Sequence, residues 1–380
     1  MKQIFCLILT LSLTVLSTTA AWGTSATGFG ARAIGMGGAY TAVADDESAA
    51  YWNPAGVTQT KHFRFALGAG YHGDLEKLQN ASEDISDDQM PDRNDLNESY
   101  SLLALVGFTS KHLGLNVYSD TQLVTRQDAQ NDISATMESY NYGLLTVAGS
   151  PGKSNRLSIG VNFKAVYAGY GEVSLPALPD PANYNLYDSA QLTAFTNLVN
   201  AYTASTAYTT STGTACDLGL LYRLTNKLTL GFTARNLYSE VDSDDGTKTT
   251  YSLNYNNNPS DPEVELSSGT KSDYTHEIKI PKTYVLGVAY RPFKHTLLAA
   301  DVERITNSSN DQTRLHVGLE QNALWNLLSL RLGYFTYNDG SDDSSASTAG
   351  VGFNLWIINC NVAYVDAENP FYMATANIKF

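Results

Sequence analysis

The chain has 380 residues, a formal net charge of −14 and only 16% charged residues. So acidic a balance argues against a nucleic-acid partner, and no apolar run reaches the roughly 20 residues of a membrane-spanning helix. The length suits one large domain. The first element in chain order is the apolar stretch Ile4 to Leu16, with Lys2 before it and Ser17, Thr18, Thr19, Ala20 and Ala21 after it. That order predicts a secretory signal peptide over residues 1–20, cleaved after Ala20 or Ala21. Beyond it only Cys216 and Cys360 remain, which predicts two separate thiols rather than a disulfide framework.

Residues 22–60 do not alternate as a strand should. They read WGTSATGFGARAIGMGGAYTAVADDESAAYWNPAGVTQT. The glycines favour tight turns and close backbone approach. Gly35, Gly37 and Gly38 have no strand before them and no Lys-Ser or Lys-Thr after them, so a phosphate-binding loop is rejected. Ala39–Ala44 predicts a short helix, and Asn53-Pro54 predicts a turn.

From residue 61 the pattern changes to period-2 alternation broken by turns. Phe63, Phe65, Leu67, Ala69 and Tyr71 oppose His62, Arg64, Ala66, Gly68 and Gly70. Leu157, Ile159, Val161, Phe163, Ala165 and Tyr167 oppose Ser158, Gly160, Asn162 and Lys164. Successive strand side chains point to opposite faces. Segments this long, apolar and aromatic on one face and polar or small on the other, predict lipid-facing strands around a polar interior. Fourteen strands are expected, at 61–72, 99–109, 112–126, 138–149, 155–170, 212–223, 227–240, 278–291, 295–305, 312–321, 327–337, 347–356, 359–366 and 371–380. Connections after even-numbered strands are short, from Ser110–Lys111 to Ile357–Ile358. The longest, Gly73–Glu98, Gln127–Met137, Gly171–Ser211 and Val241–Glu277, all follow odd-numbered ones. With both termini periplasmic, that parity is the short-turn, long-loop asymmetry of an outer-membrane barrel.

The loop Gly73–Glu98 is acidic and reads as a solvated surface that lacks calcium-loop spacing. A cation-bridged contact with lipopolysaccharide is the weaker option there. In the loop Gly171–Ser211, residues Leu192, Phe195, Leu198 and Val199 fall at helical spacing, with Asp188 as cap. Their apolar face predicts either capture of an apolar ligand at the barrel mouth or packing of the loop itself. The strand phases place Arg64, Lys164, Arg235, Asp301, Glu303, Arg314 and Arg331 toward the lumen, with Asp301, Glu303, His316 and Glu320 sharing one inward face. Intramembrane charges usually pair in a protected interior, so a salt network is expected there. The six His residues show no metal-binding spacing. No nucleophile accompanies the acids, so neither metal, cofactor nor enzymatic activity is expected.

The chain ends with Tyr372, Ala374, Ala376, Ile378 and Phe380 on one face. This resembles the C-terminal signal read by the outer-membrane assembly machinery, although Thr375 stands where Gly is usual and Met373 where a polar residue is usual. Residues 30–56, GARAIGMGGAYTAVADDESAAYWNPAG, resemble the long-chain fatty acid transporter family of outer-membrane barrels, above all in Asp45-Asp46 and Asn53-Pro54-Ala55. The related barrels of the Por secretion system and spirochaete paralogues share the GMGGA and NPAG elements. The resemblance implies an all-β transmembrane barrel (61–380) plugged by an N-terminal hatch (21–60). It implies that Asn53, Pro54 and Ala55 anchor the hatch to the wall, with Asp45 and Asp46 near lumen cations. In the fatty-acid branch it also implies passive uptake of small hydrophobic compounds, with sideways release into the membrane when the hatch shifts. The alternative is a secretion or shuttle barrel that binds a secreted protein at its outer face.

Overall fold

The computed structural model describes residues 28–380 apart from 75, 78, 81–82, 84–96, 130–131, 153, 178–182, 257–262, 307–310, 339–342 and 368–369. The expected leader and most of the acidic loop Gly73–Glu98 lie outside the described residues. Among the described residues, seventeen strands join into one antiparallel sheet. They are β1 (Arg64–His72), β2 (Glu98–Thr109), β3 (Leu113–Gln127), β4 (Ile133–Gly149), β5 (Leu157–Leu175), β6 (Thr203–Arg223), β7 (Leu228–Ser243), β8 (Gly246–Asn256) and β9 (Glu263–Leu266). They continue as β10 (Thr270–Tyr274), β11 (Lys282–Tyr290), β12 (Thr296–Thr306), β13 (Gln312–Ala323), β14 (Leu328–Asn338), β15 (Asp343–Leu355), β16 (Ile358–Asp366) and β17 (Phe371–Lys379).

Fourteen of these close a barrel. β1 pairs with β2 on one side and β17 on the other, and β7 pairs directly with β11. The other three correct the expected content of Val241–Glu277. That connection is not a plain loop: β8 pairs with the upper part of β6, and β9 and β10 add to β8.

The alternation turns the barrel inside out relative to a soluble protein. Phe163 and Leu286 are 58% and 63% exposed on the outside, whereas Asn162 and Asp217 are 0% and 1% exposed inside. Lipid takes the place of water outside, and paired polar groups fill the interior.

Further boundaries differ from expectation. The connection Gly171–Ser211 shortens at both ends, because β5 runs on to Leu175 and β6 already starts at Thr203, where β5 and β8 pair with it. The connection Gln127–Met137 narrows to 128–132, because β3 and β4 keep pairing as far as Gln127↔Ile133. Strand 278–291 begins only at Lys282, since Pro281 has no N–H to donate to a ladder. Cys216 and Cys360 are separate thiols.

Candidate functional site: a lumenal segment between two chambers

Residues 28–60 run inside the barrel and bond to its wall on several sides. Asn162 Nδ2 of β5 donates to Ala50 O at 2.7 Å, Asn53 Nδ2 to Leu220 O of β6 at 3.0 Å, and Thr233 Oγ1 of β7 to Trp52 O at 3.1 Å. Asp301 of β12 accepts from Tyr40 N at 2.9 Å and Thr41 N at 2.8 Å. His316 of β13 meets Gly37 O at 2.8 Å, and Thr348 of β15 donates to Gly35 O at 3.2 Å. Asn377 of β17 donates to Glu47 at 2.8 Å.

The local sequence explains this path. The helix expected over Ala39–Ala44 is a turn instead, and the short helices are Ala31–Gly35 and Ala49–Trp52, on either side of the left-handed Gly37 (φ 65°) and Gly38 (φ 76°). A Cβ on Gly37 would lie 2.6 Å from Tyr334 N, and one on wall residue Gly333 would lie 2.1 Å from Gly37 N. Small residues on both surfaces therefore let backbone touch backbone.

Asn53 both caps and anchors. Its Oδ1 accepts from Ala55 N at 3.0 Å and starts the 3-10 turn Pro54–Gln59, while its amide donates to Thr41 O at 2.8 Å and to Leu220 O. Pro54 and Ala55 lie against Gly160 and Gly219 of the wall, where an added Cβ would come within 2.3 Å and 2.2 Å of the segment.

The inward charges form pairs. Arg32 is shared by Asp45, Asp46 (3.9 Å) and Glu320 (2.7 Å), and Glu320 also takes Arg331 at 2.8 Å. Asp46 accepts the Tyr40 hydroxyl at 2.7 Å. Glu303 pairs with Arg235, His316 (3.4 Å) and Arg314 (3.9 Å). Lys164 pairs with Asp217 at 2.8 Å, and Arg64 lies 3.8 Å from Glu47. Burial, and then the charge of Asp46, hold the Glu47 carboxyl up to about 7. No group of three or more His, Cys, Asp or Glu among the described residues is arranged to hold a metal.

The segment divides the lumen. On the side of the long loops lies a chamber of about 240 Å³, lined by Phe29, Tyr51, Trp52, Tyr142 and Leu144 together with the paired Lys164, Arg235 and Arg314. Above it the wall is apolar and aromatic, with Leu103, Leu105, Tyr118, Tyr140, Ile278 and Phe335 in one cluster. On the short-turn side lies a vestibule of about 430 Å³ whose lining is polar, including Arg32, Glu47, Arg64, Glu320, Asn359 and Lys379.

The loop helix runs over Ser189–Ala201, capped by Asp188 through Ala190 N and Gln191 N. Phe195 and Val199 are buried, Phe195 beside Tyr184 at 5.5 Å, whereas Leu198 is 46% exposed and Leu192 half-buried. The four residues thus do not share one exposed face.

Sequence reading missed Phe29, Tyr51, Trp52, Tyr142, Asp217 and Asn236. One signal was present: Leu237 breaks the phase set by Leu228, Leu230, Phe232 and Ala234, and marks an irregularity in β7.

Residues 15–334 match the family model described as outer membrane protein transport protein (OMPP1/FadL/TodX). No curated protein matches the chain. Among solved structures, the P. putida toluene transporter TodX is 15% identical, with a TM-score of 0.61 over 94% of this chain and 99% of its own. The Ralstonia pickettii toluene transporter TbuX is 14% identical, with a TM-score of 0.63 over 93% and 99%. A Pseudomonas aeruginosa FadL homologue is 12% identical, with a TM-score of 0.55 over 95% and 100%.

Proposed function

The chain belongs to the OMPP1/FadL/TodX family of outer membrane transport proteins, and on that premise we propose that it is a passive channel for small hydrophobic compounds, plugged by its N-terminal hatch and emptied sideways into the membrane. One observation carries this reading. The apolar, aromatic cluster on the long-loop side leads to a chamber whose charges are paired, and that chamber ends on a buried segment whose far side opens onto a polar vestibule. An apolar solute leaving straight through would regain contact with water over its whole surface, at about 25 cal/mol per Å². A sideways route keeps it in apolar surroundings.

The chamber also bears on solute size. At about 240 Å³ it falls below the roughly 300–1,000 Å³ of common ligand pockets. That favours one aromatic ring over a full-length fatty acid, in keeping with the toluene transporters the fold resembles. No step needs catalysis or a cofactor. On this reading the long loops face lipopolysaccharide outside and the short turns face the periplasm, and the terminal Phe380 is the handle for the assembly machinery.

The test is binding and uptake of radiolabelled toluene and of oleate by the purified protein and by cells that express it. Saturable toluene binding with uptake above empty-vector cells is the expected result. No binding of either compound, with a secreted protein co-purifying instead, would move the assignment to the shuttle alternative.

A further inference from the structure

Among the described residues, the non-glycine residues with left-handed φ are Asn155, Asn236 and Asn326, together with Leu324 (49°), Trp325 (56°) and Trp356 (50°). Asn tolerates that region. Leu and Trp are strained in it, because Cβ crowds the following carbonyl oxygen. All three strained residues lie in two neighbouring short turns, 324–327 between β13 and β14 and 356–357 between β15 and β16.

Packing of the tryptophans holds neither turn, since Trp325 and Trp356 are each 96% exposed. Other groups hold the first turn. Leu327 N donates to Leu324 O at 3.0 Å, Asn354 N to Leu327 O at 2.9 Å and Asn354 Nδ2 to Asn326 O at 2.9 Å. The strained backbone thus points two indoles away from the barrel, and strain of this kind persists where it is used.

The surroundings say what takes the indoles. Residues 324–327 and 355–358 carry no charge, and Leu324, Leu327, Leu355 and Ile357 are exposed beside the two rings. This patch runs on into the lipid-facing wall. Leu330 and Leu332 of β14 and Val351 and Phe353 of β15 stand exposed on the outer face next to it. The opposite arc of the rim differs: Lys111 and His112 stand in the β2–β3 turn, and Lys227 stands in the β6–β7 turn. An uncharged patch with two exposed indoles, continuous with a hydrocarbon-facing wall, fits the boundary between headgroups and acyl chains, where Trp is enriched. Water would leave the whole patch uncovered.

We propose that this arc of the rim is a membrane anchor: Trp325 and Trp356 sit among the phospholipid headgroups of the inner leaflet, while the β2–β3 and β6–β7 turns stand in water. An ordinary aromatic girdle circles the barrel, whereas this anchor is carried by turns and covers one side. The inference rests on the orientation proposed above, with the short turns toward the periplasm, and not on the identity of the solute.

Tryptophan emission in phosphatidylcholine vesicles tests it. The chain has four Trp, and the difference between the intact protein and its Trp325→Phe, Trp356→Phe variant is the emission of the pair. Lipid brominated high on the acyl chain should quench that difference about twofold or more, as interfacial indoles require. Aqueous iodide should quench it by less. Two reporters placed in the double variant complete the comparison. Asn226→Trp in the β6–β7 turn should be quenched by iodide and spared by brominated lipid. Phe163→Trp on the outer face of β5 should be quenched by lipid brominated near the chain end. Quenching of the pair by iodide but not by brominated lipid overturns the proposal and makes the patch a docking surface for a soluble partner. Quenching of Asn226→Trp by brominated lipid also overturns it, since the contact would then not be one-sided. In both cases quenching of Phe163→Trp still upholds the lipid-facing wall, and toluene binding still upholds the channel. Phe163→Trp untouched by brominated lipid overturns the membrane barrel and the anchor together.

Discussion

The lumenal segment and the β7–β11 seam are held in place by opposite means. Residues 28–60 present their backbone to strands β5, β6, β7, β12, β13, β15 and β17, and nearly every contact is buried. Each such bond contributes about 1 kcal/mol net, but leaving a buried partner unsatisfied costs about 1–3 kcal/mol. The segment is therefore held less by the sum of its bonds than by the penalty for breaking any one. Beyond Arg235 the β7–β11 seam has no ladder and is held by side chains: Asn236 on Pro281 O, Ser243 on His276 O, His276 stacked on Tyr170, and Ile278 and Ile280 in the buried cluster.

Removing the segment outright should give the largest effect. A chain lacking residues 22–52 and correctly inserted should conduct small ions in planar bilayers at least tenfold better than the intact protein. Unchanged conductance would mean that the segment closes nothing.

Next is Glu320→Ala, which leaves Arg32 and Arg331 buried without their shared carboxylate. Breaking a buried ion pair from one side costs about 3–5 kcal/mol. The expected result is a lower urea midpoint for the segment, followed by Trp52 fluorescence. Asn53→Ala should be milder, about 1–3 kcal/mol, because it unpairs Thr41 O and Leu220 O but no charge. If Asn53→Ala proved the more damaging, the anchor would lie in the turn and not in the ion network.

The pH dependence should be smaller still. Glu47 is held up to about 7 in the folded protein by burial and by Asp46, above the ordinary carboxylate range near 4.3. A carboxyl with a raised folded value is protonated in the folded state where it is ionised in the unfolded one. Its contribution is therefore present at low pH and lost as pH rises toward about 7. Protease access to the segment should increase from pH 5 to pH 8, and Glu47→Gln should flatten that rise. Least of all, Leu198→Ala should shift stability by no more than about 0.5 kcal/mol, since the side chain is exposed. A fall in toluene uptake without that stability change would mark the helix as a capture surface.

The barrel was legible because alternation is local. Arg64, Lys164, Arg235, Asp301, Glu303, Arg314 and Arg331 lie inside because each occupies the polar phase of a strand, and phase needs only neighbouring residues. Strand ends were less legible. The polar run Thr203–Ser211 lacks an apolar face yet continues β6, because β5 and β8 offer it partners. Leu192, Phe195, Leu198 and Val199 do form a helix at the expected spacing. Which of them face inward depends on Tyr184, β8 and the rest of the loop, which spacing does not encode.

By itself, the sequence determined that this chain makes long amphipathic strands in an even barrel, and that residues 28–60 are something other than a strand. Backbone periodicity carries that information from residue to residue. Only the tertiary structure decided what the chambers are made of and where the wall is weak. Phe29 of the segment meets Tyr118 of β3, and Asn236 meets Pro281 and Lys164 across three strands. Such contacts join residues distant in the chain, so they exist only once the barrel has closed and fixed every register at once.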